Sequence, residues 1–192
     1  MKRALLSSLT IVICLGLLQA ASPESDSDKP QYTKDNHLRR PENYREWIYL
    51  SSGLGMNYSP APTDHKMFTN VFVPQWAYAE FLKSGKWPDK TTFVVEERGS
   101  ESKGSINKDG HYQSDLMGLG VEVKDARFAD KWAYFNFDEQ SKSAEANPTD
   151  ACWQCHEDHA AVEHSFVQFY PTLKPIAKKF GTYKQAAENP AQ

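Results

Sequence analysis

The chain has 192 residues, of which 40% are hydrophobic and 24% are charged, and its formal net charge is −3 at pH 7. This length and composition fit one globular domain with room for a sizeable core. The acidic balance argues against nucleic acid and against an anionic membrane surface as binding partners.

The first 21 residues have the three parts of a secretory signal peptide. Lys2 and Arg3 form a charged start, an apolar run extends from Leu5 to Leu18, and Ala20 and Ala21 offer small residues for cleavage. The apolar run is shorter than a membrane span requires, and a retained N-terminal anchor is the alternative. Cleavage would leave 20 basic against 25 acidic side chains, because it removes two basic groups and no acidic one. The pattern predicts a periplasmic or otherwise exported protein.

The next stretch, residues 22–40, is polar and charged and holds few large apolar side chains. Such a composition predicts a flexible linker, because it offers little apolar surface to bury. The folded domain is then predicted over residues 41–183, and residues 184–192 are predicted to be a tail.

Two helices are predicted in the first half of this domain. The first begins at Pro41, because proline suits the first turn of a helix, and it places Tyr44, Trp47 and Ile48 on one face. The second runs over residues 74–85, where Pro74 opens the helix and a glycine closes it.

Four segments have the composition or the alternation of β-strands: 67–73, 91–98, 112–124 and 131–138. The turn signal at residues 108–110 separates two of them, and strands joined by short turns pair antiparallel. The sequence therefore predicts an α+β fold, a mainly antiparallel β-sheet with flanking helices. Four long amphipathic helices are not found.

The strongest motif is Cys152-Trp-Gln-Cys155-His156, which is the C-x-x-C-H attachment signature of a c-type haem. Two thiols three positions apart can add to the two vinyl groups of one macrocycle, and the following histidine then binds the iron. The alternatives are a redox pair, which would be expected near a βαβ pattern, and half of a zinc site, which would need two more ligands. The only other cysteine, Cys14, lies in the predicted signal. The motif predicts one haem c per chain, held by two thioethers with His156 as the iron ligand.

After this motif, Val162, Phe166 and Leu173 recur at spacings of three and four residues, which predicts a helix over 157–173. We expect the haem to lie between the sheet and the C-terminal helices.

Several stretches, in their order along the chain, carry a family resemblance: the helix and turn at 78–89, then 118–125, 132–137, the C-x-x-C-H motif, and 159–173. This order resembles the cytochrome P-460 family over roughly residues 41–173. The resemblance implies a mainly antiparallel β fold, usually dimeric, that holds one five-coordinate haem c with an open distal side. Members oxidise hydroxylamine or, in the cytochrome c-prime-beta branch, bind nitric oxide and carbon monoxide.

The hydroxylamine-oxidising members have a lysine cross-linked to the porphyrin, and the match places that lysine near Glu96. No lysine lies between Lys90 and Lys103. We therefore expect no porphyrin–lysine cross-link, and a high-spin iron bound by His156 on one side only.

The resemblance also suggests distal residues. Glu122 matches a carboxylate that can relay protons, with a solvated glutamate on a half-buried strand as the alternative. Phe68 and Phe93 are candidates to cap the iron as in the gas-binding branch, with ordinary core aromatics as the alternative. Glu97 and Arg98 are equally consistent with a surface ion pair. Seven further side chains are weaker candidates for a sixth iron ligand: His65, His111, His159, His164, Met56, Met67 and Met117.

Three functional classes follow from this site. The first is a haem protein that binds NO or CO or acts on small nitrogen species, and the second is an oxidoreductase for hydroxylamine or peroxide. The third is an electron-transfer cytochrome, which usually has two strong axial ligands and no pocket. We also expect a redox partner protein, and the family resemblance implies a homodimer.

Overall fold

The computed structural model describes residues 26–56 and 66–188. Its centre is a five-stranded antiparallel sheet whose strands are adjacent in the order of the sequence: β2 (Ile48–Leu54), β3 (Phe68–Val73), β4 (Thr92–Glu101), β5 (Tyr112–Lys124) and β6 (Trp132–Phe137). With three α-helices beside the sheet, the α+β fold class is confirmed. The predicted signal, 1–21, and His65 lie outside the described residues.

The four predicted strands correspond to β3 to β6, and each differs from its prediction by a few residues at most. Strand β5 is half-buried, as the alternation of its residues predicts. It pairs with β4 over Tyr112–Val123 and with β6 over Leu119–Lys124. The long β4–β5 hairpin turns near Gly110, whose φ of 95° is a conformation that glycine adopts at little cost.

The helix predicted from Pro41 is wrong. Only Tyr44–Glu46 form a short 3-10 helix, and Ile48–Leu54 form strand β2 at the edge of the sheet. The pairing of β2 with β3 shifts between Tyr49 and Ser51, so this strand contains a bulge. A 3-10 turn followed by a bulged strand places apolar residues at spacings of three and four, which resembles the period of a helix.

The described part of the predicted linker, residues 26–40, makes specific contacts with the domain. There, β1 (Leu38–Arg39) pairs with β7 (Ser143–Ala144), and Leu38 is fully buried. The Asp28 carboxylate accepts hydrogen bonds from Asn43 and from the Trp47 indole. These contacts attach the segment to the outer face of the sheet.

The first helix is α1 (Gln75–Ser84), which follows Pro74 and ends at Gly85 in the left-handed conformation, as predicted. The other two are α2 (Thr149–His159), which contains the C-x-x-C-H motif, and α3 (Lys174–Phe180). Among the described residues, no helix is long and apolar enough to cross a membrane.

The helix predicted over 157–173 is also wrong, because α2 ends at His159. Beyond it, the backbones of Val162 and Ser165 pair with each other in a tight turn in which Glu163 has a φ of 51°. The amide of Ala161 donates to the side chain of Gln168 instead of to a helical carbonyl. Val162, Val167 and Leu173 are therefore buried by an irregular chain and not by a helix, and Phe169 stays exposed.

The two faces of the sheet have separate cores. One face carries Phe93, Trp132 and Tyr134, which pack with residues of α1, α3 and the segment after α2. The opposite face packs Val94, Val121 and Phe135 against the N-terminal segment. In the predicted tail at 184–192, the Glu188 carboxylate pairs with Lys174 and Lys178.

Candidate haem site

The C-x-x-C-H motif lies on α2, where residues three and four positions apart share one side of the helix. Cys152 and Cys155 are partly buried and are not joined by a disulfide. Burial, with smaller contributions from Cys152 and Asp158, raises the pKa of the Cys155 thiol. Both thiols therefore remain available on one short stretch of helix, as two thioether bonds to one macrocycle require.

His156 is held by a hydrogen bond to the main chain. Its Nδ1 lies 2.6 Å from the backbone carbonyl oxygen of His164. Because a carbonyl can only accept, Nδ1 carries a proton, and in the neutral imidazole Nε2 keeps its lone pair. Metal-binding histidines typically have this arrangement, with the second ring nitrogen donating to a backbone carbonyl or carboxylate. The turn at Glu163 brings the carbonyl of His164 to His156, because it returns the chain to the end of α2.

A cleft of about 200 Å³ lies between the sheet and the segment that follows α2. The sheet side is formed by Ser51, Gly53, Thr69, Val71, Val95, Glu97 and Glu122. The other side is formed by His156, Phe166, Phe169 and Tyr170, and Met56 also lines the cleft. The His156 ring packs against Tyr134 and Phe166, with ring centroids 4.5 and 4.6 Å away.

Glu122 lies on the side of His156 where a metal would bind. Its Oε1 is 3.6 Å from Nε2 of His156, and its side chain is 12% exposed. Burial raises the pKa of this carboxyl, and the neighbouring His156 opposes that shift. A group held in this way can exchange a proton closer to neutral pH than an ordinary glutamate can.

The two predicted capping phenylalanines are not in the cleft. Phe68 is on the opposite face of the sheet, because its neighbour Thr69 lines the cleft and alternate residues of a strand face opposite ways. Phe93 is on the cleft face but is fully buried in an aromatic cluster. Its ring centroid is 4.8 Å from that of Trp87 and 6.4 Å from that of Tyr170. Phe93 is a core aromatic, whereas Phe68 is only partly buried.

Glu96, the position near which the cross-linking lysine was expected, also faces away from the cleft. Its carboxylate accepts hydrogen bonds from Tyr44, Asn70 and Arg98 on the opposite face of the sheet. Arg98 therefore pairs with Glu96 and not with Glu97. The residues of β4 on the cleft face are Phe93, Val95 and Glu97, and none of them is a lysine.

The weaker candidates for a sixth ligand lie in several places. His111 contacts Ser100 on the exposed hairpin, and Met67 and Met117 are beside it. His164 packs between Trp132 and Trp153, and burial lowers its pKa to about 4. Of the candidate sixth ligands that the structure describes, Met56 alone lines the cleft together with His156.

The donor set fits a haem c: two unpaired thiols, an imidazole whose Nε2 keeps its lone pair, and an adjoining cleft. The described residues contain no group of three or more His, Cys, Asp or Glu side chains placed to hold a metal ion, so the zinc alternative finds no further ligands there. Sequence reasoning missed the cleft residues Thr69, Val71 and Val95. The alternation of side chains between the two faces of β3 and β4, together with the pairing register of these strands, is the signal that identifies them.

An antiparallel α+β fold with a haem-attachment motif on a C-terminal helix defines a class of c-type cytochrome distinct from the all-helical ones. The model of the family described as Cytochrome P460 matches residues 41–167. The chain belongs to the cytochrome P460 family. This membership supports a mono-haem c-type cytochrome and implies haem c as the cofactor. A search of curated proteins gave no match.

Proposed function

We propose that the chain is an exported mono-haem cytochrome whose iron keeps one coordination position open for a small ligand such as NO or CO. One observation carries this proposal: the Nδ1–H of His156 is fixed on a backbone carbonyl, and its Nε2 is directed toward a cleft. The sheet side of that cleft is mostly formed by small or apolar residues, which are poor iron ligands. The bound haem supplies the iron that coordinates the ligand.

The chain's own residues have three roles in this proposal. Cys152 and Cys155 attach the macrocycle, and His156 holds the iron from one side. The aromatic side chains that pack on the imidazole, Tyr134 and Phe166, fix its orientation. This preorganisation limits the movement that ligand binding requires.

A second candidate function is oxidation or reduction of hydroxylamine or peroxide, and the position of Glu122 favours it. A buried carboxyl beside the iron ligand can donate or accept the proton that such a reaction moves, whereas simple gas binding moves no proton. We expect Glu122→Ala to leave CO affinity nearly unchanged. The same variant should slow turnover of peroxide or hydroxylamine by about 10²- to 10⁴-fold, the usual contribution of general acid–base catalysis.

Electron transfer with a redox partner protein is a third candidate, and it is favoured by Met56, which lines the cleft. If Met56 bound the iron, the reduced protein would be six-coordinate and would bind CO weakly. Met56→Leu would then increase CO binding and remove the charge-transfer band of a thioether–iron bond. We expect instead that Met56→Leu leaves the spectrum unchanged.

Absorption spectra of the purified protein test these functions together. We expect an ordinary c-type spectrum on reduction and a clear shift on adding CO. Haem that stays with the chain in acidified organic solvent, in the wild type but not in a Cys152→Ala, Cys155→Ala variant, would confirm covalent attachment. A reduced protein that does not respond to CO would contradict the open position.

Two further measurements test the remaining parts. Mass spectrometry of tryptic haem peptides should find the C-x-x-C-H peptide alone. A haem peptide joined to a second segment of the chain would show that a cross-link exists. Cell fractionation and N-terminal sequencing test export, and cleavage near residue 21 is the expected result.

A further inference from the structure

Two carboxylates line the described part of the cleft. Glu97 and Glu122 both line it, and no lysine or arginine is among its described lining residues. Glu97 is half-buried on β4, two residues beyond Val95, and it makes no ion pair within the described part of the chain. Within residues 26–56 and 66–188, no cation therefore pairs with its negative charge where it borders the cleft.

The nearest arginine in sequence does not neutralise Glu97. Arg98 is on the opposite face of the sheet, where its guanidinium donates to Glu96 and to the backbone carbonyl of Ser114. Lys124, on the cleft face of β5, has its ammonium group held by both carboxylate oxygens of Glu163. Each of these cations already has a carboxylate partner away from the cleft.

A charge beside a partly enclosed cleft acts more strongly on a ligand than the same charge in water, because the protein replaces part of the screening solvent. An anionic ligand that enters such a cleft meets repulsion, whereas a neutral ligand does not. Repulsion of the wrong ligand is a common source of specificity.

We propose that Glu97 is a specificity-determining residue that makes the ligand cleft select against small anions and admit neutral ligands. This inference rests on the proposed function, because it requires an open iron position in the cleft. NO and CO are neutral and pass the selection, whereas azide, fluoride and nitrite are disfavoured. Glu122 lies on the same cleft but contacts the iron ligand, so the selection is assigned to Glu97.

The test compares two glutamate variants on the same strand. Glu97→Gln removes the charge beside the cleft at nearly constant shape. Glu101→Gln makes the same chemical change on β4, at an exposed position outside the cleft, and is the matched control. Azide affinity of the oxidised holoprotein and CO affinity of the reduced holoprotein are measured by absorption titration at pH 7, in low and in high salt.

We expect Glu97→Gln to increase azide affinity about five- to tenfold in low salt, as removal of a partly screened charge near the ligand should. High salt should improve azide binding to the wild type and reduce the difference between the two proteins. CO affinity should stay the same in both variants, and Glu101→Gln should bind azide as the wild type does.

Three results would overturn the inference. Azide affinity that is unchanged in Glu97→Gln, in a protein that binds CO normally, would show that the charge does not act on the ligand. If Glu97→Gln increased azide and CO affinity equally, the effect would be steric. If Glu97→Gln and Glu101→Gln increased azide affinity equally, the effect would come from the overall charge of the protein. A wild-type protein that binds neither ligand would contradict the proposed function itself and, with it, this selection.

Discussion

Ser165 connects the aromatic core to the turn that holds His156. Its hydroxyl accepts a hydrogen bond from the Trp87 indole at 2.7 Å and donates to the backbone carbonyl of Val162 at 2.8 Å. Ser165 is fully buried, and Trp87 is 2% exposed. Ser165→Ala therefore leaves the buried indole N–H of Trp87 without a partner. The substituted residue directly follows His164, whose carbonyl binds His156.

The cost of this substitution follows from the contacts that it removes. A buried donor left unpaired costs about 1–3 kcal/mol, and the carbonyl of Val162 keeps the backbone amide of Ser165 as a donor. We therefore expect Ser165→Ala to lower the free energy of unfolding by about 1–3 kcal/mol. In a Trp87→Phe background the unpaired N–H is absent, so the same substitution should cost about 1 kcal/mol less.

Urea unfolding of the holoprotein, followed by far-ultraviolet circular dichroism, measures all four members of this double-mutant cycle. Ser141→Ala is the control, because its hydroxyl donates to Asp138 on the surface, and its effect should be within about 0.5 kcal/mol. If the costs of the two substitutions simply add to within about 0.3 kcal/mol, the Trp87–Ser165 hydrogen bond is not a coupled interaction and this reasoning fails.

Two further predictions concern the two faces of the sheet. Phe93→Ala should lower the free energy of unfolding by about 3–5 kcal/mol in the same assay, because the ring is fully buried between other aromatics. A loss below about 1 kcal/mol would contradict its assignment to the core. Burial acts to raise the pKa of Glu96, but hydrogen bonds from Tyr44, Arg98 and Asn70 outweigh it and lower the pKa below its ordinary value of 4.5. The unfolded chain then binds this proton more tightly, so stability is fully present above pH 4.5 and is lost as the pH falls below it. Glu96→Gln should flatten that fall, and parallel pH profiles for variant and wild type would refute the assignment.

The strands from Phe68 to Phe137 were predictable because each has its own local signal. β-Branched and aromatic residues alternate with polar ones, and short turn sequences separate the strands. The edge strand β2 was not predictable in this way, because its bulge interrupts the alternation after a 3-10 turn. The stretch after α2 was misjudged for a related reason: its apolar spacing is helical, but its backbone amides bond to a turn and to the side chain of Gln168.

The C-x-x-C-H motif can be recognised from the sequence, and the cleft cannot, for a physical reason. Cys152, Cys155 and His156 are adjacent in sequence, so their chemistry is local. The cleft depends on which face of each strand points toward α2, and a shift of one residue exchanges the faces. The family match placed the cross-linking lysine near Glu96. That position faces away from the cleft, whereas its neighbours Val95 and Glu97 line it. The acceptor of the His156 Nδ1–H is a main-chain oxygen, so no residue type in the sequence indicates it.

That main-chain acceptor limits how the protein can be tuned. A carboxylate partner can be exchanged by a single substitution, and it can draw the proton from the imidazole and give the ligand imidazolate character. The carbonyl of His164 is present whatever side chain position 164 carries, and it cannot take the proton. We therefore expect the electron donation of His156 to the iron to respond little to point substitutions around it. Changes in the length or handedness of the turn at Glu163 should affect it far more.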